Sequence, residues 1–144
     1  NSQTKSICIG NIYLGGTGKT SLVIKVNEIL KKKFKTFVIK KYYKNQIDEQ
    51  KILGNKTRLI LPKRRIEGLR KIERSKNSIA IFDDGLQDKS IKYKISIVCF
   101  NSFSAIGNGK LLPAGPLRES MSSLNNYSAV FINGKKKLQF RKKN

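Results

Sequence analysis

Short apolar runs alternate along this chain with longer stretches in which apolar residues recur every three or four positions. The runs are typical of buried strands, and they lie at residues 6–12, 36–39, 57–61, 78–82, 95–100 and 129–132. The helical spacing predicts one helix from Lys19 to about Lys33 and a second, charged helix over residues 64–76. The predicted inward edge of the second helix consists of Ile66, Leu69 and Ile72. Buried strands that alternate with helices predict an α/β fold, in which helices flank a mostly parallel sheet.

Three segments fit neither pattern. Residues 44–55 are polar, and Asp48 and Glu49 predict the start of a short helix that Gly54 closes. Residues 103–117 are rich in glycine and proline, which predicts a long loop that is ordered or functional. Residues 135–144 are basic, with little to bury. We therefore expect one domain over residues 1–134 and a basic tail over residues 135–144.

The composition agrees with a folded domain that carries a large positive charge. The chain has 144 residues, 38% of them hydrophobic, and its 31 Lys and Arg residues outnumber 9 Asp and Glu to give a net charge of +22. Such a surface attracts phosphates, nucleic acid or anionic lipid. Codon usage in an AT-rich genome is an alternative source of the charge, because 24 of the cations are lysine and the chain also has 18 isoleucines and 12 asparagines.

The cysteines and the ends of the chain narrow the class of protein. Cys8 and Cys99 each lie in an apolar run, which predicts small buried hydrophobic residues in a reducing compartment. The sequence has no histidine, so a zinc site is not expected. No secretory signal and no apolar run of membrane-spanning length is present. The sequence begins at Asn1 rather than at Met, which leaves open that it is a fragment.

The most specific motif is a glycine-rich loop between the first predicted strand and the first predicted helix. It consists of Tyr13, Leu14, Gly15, Gly16, Thr17, Gly18, Lys19 and Thr20. Glycines let backbone N–H groups approach a phosphate, and the helix that follows directs its positive end at the anion. In such a phosphate loop the lysine reaches the β- and γ-phosphates and the Thr hydroxyl binds Mg²⁺. Tyr13 departs from the usual first glycine, and a simple strand-to-helix turn is the alternative.

An acidic pair complements the loop. Asp83 and Asp84 follow the apolar run at 78–82, and phosphate-loop enzymes hold Mg²⁺ with an acidic residue at the end of such a strand. Alone, the pair followed by Gly85 is typical of a turn. Together with the loop, it predicts nucleotide hydrolysis or phosphoryl transfer with ATP and Mg²⁺.

Three motifs in order resemble one family. They are residues 10–20 (GNIYLGGTGKT), 83–87 (DDGLQ) and 112–119 (LPAGPLRE), and together they resemble the tetraacyldisaccharide 4′-kinases of Gram-negative bacteria, which also lack the first glycine of the loop. The resemblance implies ATP- and Mg²⁺-dependent phosphorylation of the 4′-hydroxyl of a lipid A disaccharide precursor, tetraacyldisaccharide 1-phosphate. It also implies a location on the cytoplasmic face of the inner membrane, with an anionic membrane surface as a partner.

The resemblance assigns roles to individual residues. Residues 13–20 match the family's ATP-binding loop, and Asp83 and Asp84 match its Mg²⁺-associated pair. Asp48 matches the Asp of the family's Gly-Asp-Glu-Pro, which helps to activate the sugar hydroxyl; an N-cap is the alternative for Asp48. Arg118 either holds a phosphate of ATP or the 1-phosphate of the lipid, or forms a salt bridge with Glu119 or Asp88.

The chain also departs from the family. Residues 40–43 (KKYY) replace Ser-Arg-Gly-Tyr, and Asp88 replaces a histidine. The family's N-terminal membrane helix and C-terminal domain are missing from the sequence, so we expect a nucleotide-binding core that transfers phosphate very slowly by itself.

Three other functions are alternatives to this one. A partitioning-type ATPase would have a lysine where Leu14 stands. In a nucleic-acid-binding module we would expect aromatic residues among clustered cations, whereas these lysines are scattered, so no nucleic-acid partner is expected. A degenerate paralogue that only binds nucleotide remains an alternative because the Asp48 region is weakened.

Overall fold

The chain forms one six-stranded sheet in the computed structural model, which describes residues 4–103 and 107–134. The strands are β1 (Lys5–Gly10), β2 (Lys35–Lys40), β3 (Leu59–Ile60), β4 (Ser78–Asp83), β5 (Ile95–Asn101) and β6 (Ala129–Asn133). Their order across the sheet is β3-β2-β4-β1-β5-β6, and every neighbouring pair is parallel. The predicted α/β fold with a parallel sheet is confirmed.

Helices cover both faces of the sheet. On one face, α1 (Lys19–Leu30) and α2 (Ile47–Lys56) bury Val23 and Leu53 against the sheet. On the other face, α3 (Arg65–Ile72) buries Leu69 and Ile72, beside a 3-10 helix at Met121–Asn126. Burial of both faces explains why the central strands read as continuous apolar runs rather than as alternating ones. None of the helices in the described residues is long and apolar enough to cross a lipid bilayer.

Several predicted boundaries were wrong. The first strand ends at Gly10 rather than at residue 12, α1 ends at Leu30 rather than near Lys33, and α3 stops at Ile72 rather than at residue 76. Gly54 lies inside α2 and does not close it. Packing of the neighbouring Leu53 in the core outweighs the helix cost of a glycine, about 1 kcal/mol. The predicted tail at 135–144 lies outside the described residues.

The two cysteines are buried and free, as predicted. Cys8 lies on β1 and Cys99 on β5, and burial raises the pKa of each thiol to about 12. Both thiols are therefore protonated at neutral pH and behave as small apolar side chains.

The register brings three strand ends together. In the parallel ladders Asp83 lies opposite Ile9 of β1 and opposite Lys40 of β2. The segment that follows β1, the last residue of β4 and the last residue of β2 therefore share one edge of the sheet. In open α/β sheets the carboxyl ends of the strands are where ligands bind, and the predicted functional residues cluster there.

Candidate functional site

The glycine-rich loop connects β1 to α1 and ends at a left-handed glycine. Gly18 has a φ of 75° and occupies the N-cap of α1, and its carbonyl accepts the first helical hydrogen bond, from the N–H of Leu22 at 3.1 Å. A side chain at this position would be strained and would meet the side-chain amide of Asn133. Lys19 and Thr20 are thus the first two residues of the helix, at its positive end.

Tyr13, the unusual first residue of the loop, anchors the loop to the core. Its ring is buried and stacks on Phe100 at 5.7 Å between centroids. Its hydroxyl accepts the backbone N–H of Asn101 at 2.9 Å. The next residue, Leu14, has an exposed side chain and donates its N–H to the carbonyl of Pro116 at 2.8 Å. The start of the loop is therefore held by the buried Tyr13 ring and by a backbone hydrogen bond to the proline-rich loop.

A partly buried polar cluster lies at the end of the loop and is formed by Thr20, Lys40, Glu49 and Asp83; we call it the Lys40 cluster. The Lys40 ammonium lies 2.9 Å from Oδ2 of Asp83 and 2.9 Å from Oε2 of Glu49. The other oxygen of Glu49 accepts the hydroxyl proton of Thr20 at 2.8 Å. Asp83 is fully buried and the Lys40 side chain is 2% exposed. The cluster links the start of α1 to the ends of β2 and β4.

The groups of the Lys40 cluster shift one another's pKa values. At Asp83 burial prevails and raises the pKa of the carboxyl above its usual value, although the nearby charges of Lys40 and Lys19 lower it. Burial alone would lower the pKa of Lys40, but the carboxylates of Asp83 and Glu49 outweigh it and raise that pKa above its usual value. Burial would raise the pKa of Glu49, but hydrogen bonds from Lys40 and Thr20 and the charges of Lys40 and Lys19 lower it. Lys40 is therefore an ammonium and Glu49 a carboxylate at neutral pH.

The donors of the cluster fit Mg²⁺ bound together with a phosphate. This metal prefers oxygen ligands and, in nucleotide sites, takes one or two carboxylates with phosphate oxygens and waters. The Oδ1 atom of Asp83 is buried and has no hydrogen-bond partner within the described residues, and the Thr20 hydroxyl lies in the same cluster. No three His, Cys, Asp or Glu side chains in the described part of the chain gather to hold a metal by themselves. Phosphate oxygens would have to complete the shell.

The second acidic residue, Asp84, belongs to a different network. It has a φ of 58°, which separates its side chain from that of Asp83. Its Oδ1 atom accepts a hydrogen bond from the Arg118 guanidinium at 3.0 Å, and its carbonyl accepts one from Arg65. Arg118 thus forms a salt bridge, but with Asp84 rather than with Glu119 or Asp88. Asp84 stays a predicted metal residue with one oxygen already paired.

Hydrogen bonds join the three motifs that are distant in sequence. Gln87 donates to the carbonyl of Asn11 at 3.1 Å and to the carboxylate of Glu119 at 2.9 Å. The backbone N–H of Arg118 donates to the carbonyl of Ile12 at 2.6 Å. Hydrogen bonds therefore connect the loop after β1, the segment after β4 and the proline-rich loop into one rim at the carboxyl edge of the sheet.

The carboxylate in the Lys40 cluster is Glu49, whereas its neighbour Asp48 is exposed. Both lie in the first turn of α2, whose N-cap is Gln46. The N-cap alternative for Asp48 is therefore wrong, and its catalytic role stays a prediction. Sequence reasoning missed Glu49 and Lys40 as site residues. Two features of the sequence could have indicated them: Glu49 is the second carboxylate of an acidic pair, and Lys40 directly follows an apolar run.

An open cleft of about 560 Å³ lies on the same rim. Three cationic side chains line it, together with two carboxylates and three other polar residues: Lys41, Arg65, Arg118, Asp84, Asp88, Tyr43, Gln46 and Gln87. Arg65 is mostly buried and lies 3.5 Å from Asp88. Asp84, which lines this cleft, follows Asp83 of the Lys40 cluster directly in sequence.

Comparison with known proteins gives consistent matches. A family model described as tetraacyldisaccharide-1-P 4′-kinase matches residues 1–144. A tetraacyldisaccharide 4′-kinase from Pelagibacter ubique is 53% identical over 135 residues, which cover 93% of this chain and 43% of the relative. One from Shewanella halifaxensis is 35% identical, over 92% of this chain and 46% of the relative. The chain thus spans less than half the length of these curated relatives.

A solved structure has the same fold. The "apo" form of LpxK from Aquifex aeolicus, in complex with ATP, superposes with a TM-score of 0.78 at 23% identity, over 90% of this chain and 48% of that one. This likeness establishes the fold, and the match of the family model along the whole sequence establishes the family. The chain is a member of the tetraacyldisaccharide-1-P 4′-kinase family.

Proposed function

We propose that this chain is the ATP-binding part of a kinase that phosphorylates the 4′-hydroxyl of tetraacyldisaccharide 1-phosphate, a precursor of lipid A. One observation carries the proposal: a phosphate loop at the start of α1 lies beside the buried carboxylate of Asp83. The names of the curated relatives support the acceptor. The ATP complex of the Aquifex aeolicus protein, which has the same fold, supports the donor.

The residues of the loop have separate roles in binding ATP. The backbone N–H groups of residues 15–20 surround the phosphates, and the ammonium of Lys19 binds the β- and γ-phosphates. The hydroxyl of Thr20 and the carboxylate of Asp83 would hold Mg²⁺. When bound, the metal neutralises charge that develops on the phosphates during transfer.

We place the acceptor in the open cleft lined by Lys41, Arg65 and Arg118. A sugar 1-phosphate is an anion, and the cations Lys41, Arg65 and Arg118 outnumber the two carboxylates in the lining of this cleft. The candidate base is Asp48, because an acceptor hydroxyl needs a carboxylate to take its proton. It is exposed on the first turn of α2, beside Glu49 of the Lys40 cluster in sequence.

Replacement of Lys19 tests the ATP site. Lys19→Ala removes a charge-assisted contact to the phosphates, and we expect ATP affinity to fall by about 2 kcal/mol, or about 30-fold. Isothermal titration calorimetry with Mg·ATP measures the change. The matched control is Lys25→Ala on the same helix, where Lys25 forms a surface pair with Glu28 at 3.8 Å. Unchanged affinity in Lys19→Ala, or equal losses in both variants, would contradict the assignment of the loop.

We further propose that the chain acts at the cytoplasmic face of the bacterial inner membrane, held there by charge. Residues 1–134 are the proposed kinase core, and the tail adds six cations: Lys135, Lys136, Lys137, Arg141, Lys142 and Lys143. Each cation near an anionic bilayer contributes about 1 kcal/mol. We expect co-sedimentation with phosphatidylglycerol vesicles that decreases with salt and decreases when the six are changed to Gln. Binding that is insensitive to salt, or stronger binding to RNA, would contradict this mode.

A further inference from the structure

A lysine ammonium occupies the centre of the polar cluster at this site. Lys40 is among the largest fully buried side chains in the described residues, and lysine is almost never buried in this way unless it is paired. Its partners are Oδ2 of Asp83 and Oε2 of Glu49, each at 2.9 Å. The ammonium therefore bridges two carboxylates on different elements, the end of β4 and the first turn of α2.

The oxygens that Lys40 holds are also the strongest metal donors of the cluster. With Lys40, the formal charges of Asp83, Glu49 and Lys40 sum to −1; without it, the two carboxylates carry −2. A divalent cation that bound both carboxylates would have to replace the ammonium at one or both of them. One carboxylate oxygen, Oδ1 of Asp83, is buried and lacks a hydrogen-bond partner among the described residues.

We propose that Lys40 is a resident cation of the nucleotide site. It competes with Mg²⁺ for the oxygens of Asp83 and Glu49, and it offsets their charge beside the triphosphate when no metal is bound. Nucleotide binding at this site therefore depends less on Mg²⁺ than it would with a neutral residue at position 40. This proposal rests on the proposed ATP binding, but its first test does not require ATP.

The first test uses the metal alone. Mn²⁺ replaces Mg²⁺ as a spectroscopic probe, and electron paramagnetic resonance measures the free ion as the protein is added. Lys40→Gln removes the competing charge and keeps a hydrogen-bond donor, so we expect Mn²⁺ to bind at least about tenfold more tightly than to the wild-type chain. The matched control is Lys35→Gln, an exposed lysine at the other end of β2. Equal or weaker binding in Lys40→Gln would overturn the proposal.

The second test compares ATP binding with and without metal. In EDTA, Lys40→Gln leaves two uncompensated carboxylates beside the triphosphate, so we expect its ATP affinity to fall about tenfold. With Mg²⁺ in excess, we expect its affinity to stay close to that of wild type. A purely structural role of Lys40 would instead weaken both measurements by the same factor, and that outcome would overturn the proposal.

The proposal and the ATP assignment fail in different ways. If the wild-type chain binds no ATP while Mn²⁺ binds more tightly to Lys40→Gln, the proposed function fails and the resident cation stands. If the wild-type chain binds ATP and neither comparison changes, only the role of Lys40 fails. Should Lys40→Gln not fold, ¹⁵N resonances of the wild-type lysine ammonium groups decide the matter. We expect the Lys40 signal to shift when Mg²⁺ is added, and an unmoved signal at saturating Mg·ATP would overturn the proposal.

Discussion

Asp83→Ala is expected to destabilise the folded chain by about 3–5 kcal/mol, because it leaves a buried ammonium without its main partner. Asp83 is fully buried and 2.9 Å from Lys40, whose side chain is 2% exposed. The remaining partner, Glu49, is more exposed and also accepts the Thr20 hydroxyl. The free energy of unfolding in urea measures the loss.

A control and a rescue separate this effect from a general cost of removing an acidic residue. Asp88→Ala breaks a pair with Arg65 at 3.5 Å that is partly exposed, and we expect a loss of less than about 1 kcal/mol. The double variant Asp83→Leu with Lys40→Met removes both charges and is expected to recover most of the loss, because a buried pair is often replaced by apolar residues at little cost. Equal losses for Asp83→Ala and Asp88→Ala would contradict the buried pair.

The second large effect concerns turnover. We expect this chain to transfer phosphate from ATP to tetraacyldisaccharide 1-phosphate at least about 100-fold more slowly than the full-length Pelagibacter ubique relative. Misplacement of reacting groups by about 1 Å can cost this factor. The candidate base Asp48 is exposed, and its carboxylate has no hydrogen bond or ion pair within the described residues. The sequence also has no histidine to work with it.

An assay with labelled ATP decides this prediction. The chain and the relative are compared at equal concentration with the same acceptor in detergent micelles. Asp48→Asn is made in this chain, and the matching Asp→Asn change is made in the relative. The two variants show whether any transfer depends on that carboxylate. Turnover by this chain at the rate of the relative, abolished in Asp48→Asn, would show that these 144 residues are sufficient for the reaction.

The order of strands and helices was predictable because the parallel sheet is buried on both faces. Burial makes the central strands apolar throughout, as in 78–82, and gives α1 its helical spacing, so the local pattern carries the information. Boundaries were less predictable. The end of α2 depends on Leu53 packing against a sheet that the local sequence does not describe, so the prediction that Gly54 ends the helix is wrong.

The glycine-rich loop between β1 and α1 was also predictable, because its sequence pattern is local. Backbone N–H groups can surround a phosphate only where small residues follow one another, and the helix that supplies Lys19 and Thr20 begins at once. The acidic pair was predictable only in part. Consecutive residues at a strand end turn in different directions, so Asp83 entered the Lys40 cluster while Asp84, with a φ of 58°, paired with Arg118.

The sequence by itself determined the fold class, the glycine-rich loop and the family, since each depends on residues that are adjacent or in fixed order. Only the tertiary structure decided which charges share a site. Lys40 and Asp83 are 43 residues apart and meet because β2 and β4 pair in one register. Glu49 rather than Asp48 joins them because one step along a helix rotates a side chain by about 100°. Such choices depend on register and helix phase, which pattern alone does not fix, and they place a lysine where the sequence had predicted only metal ligands.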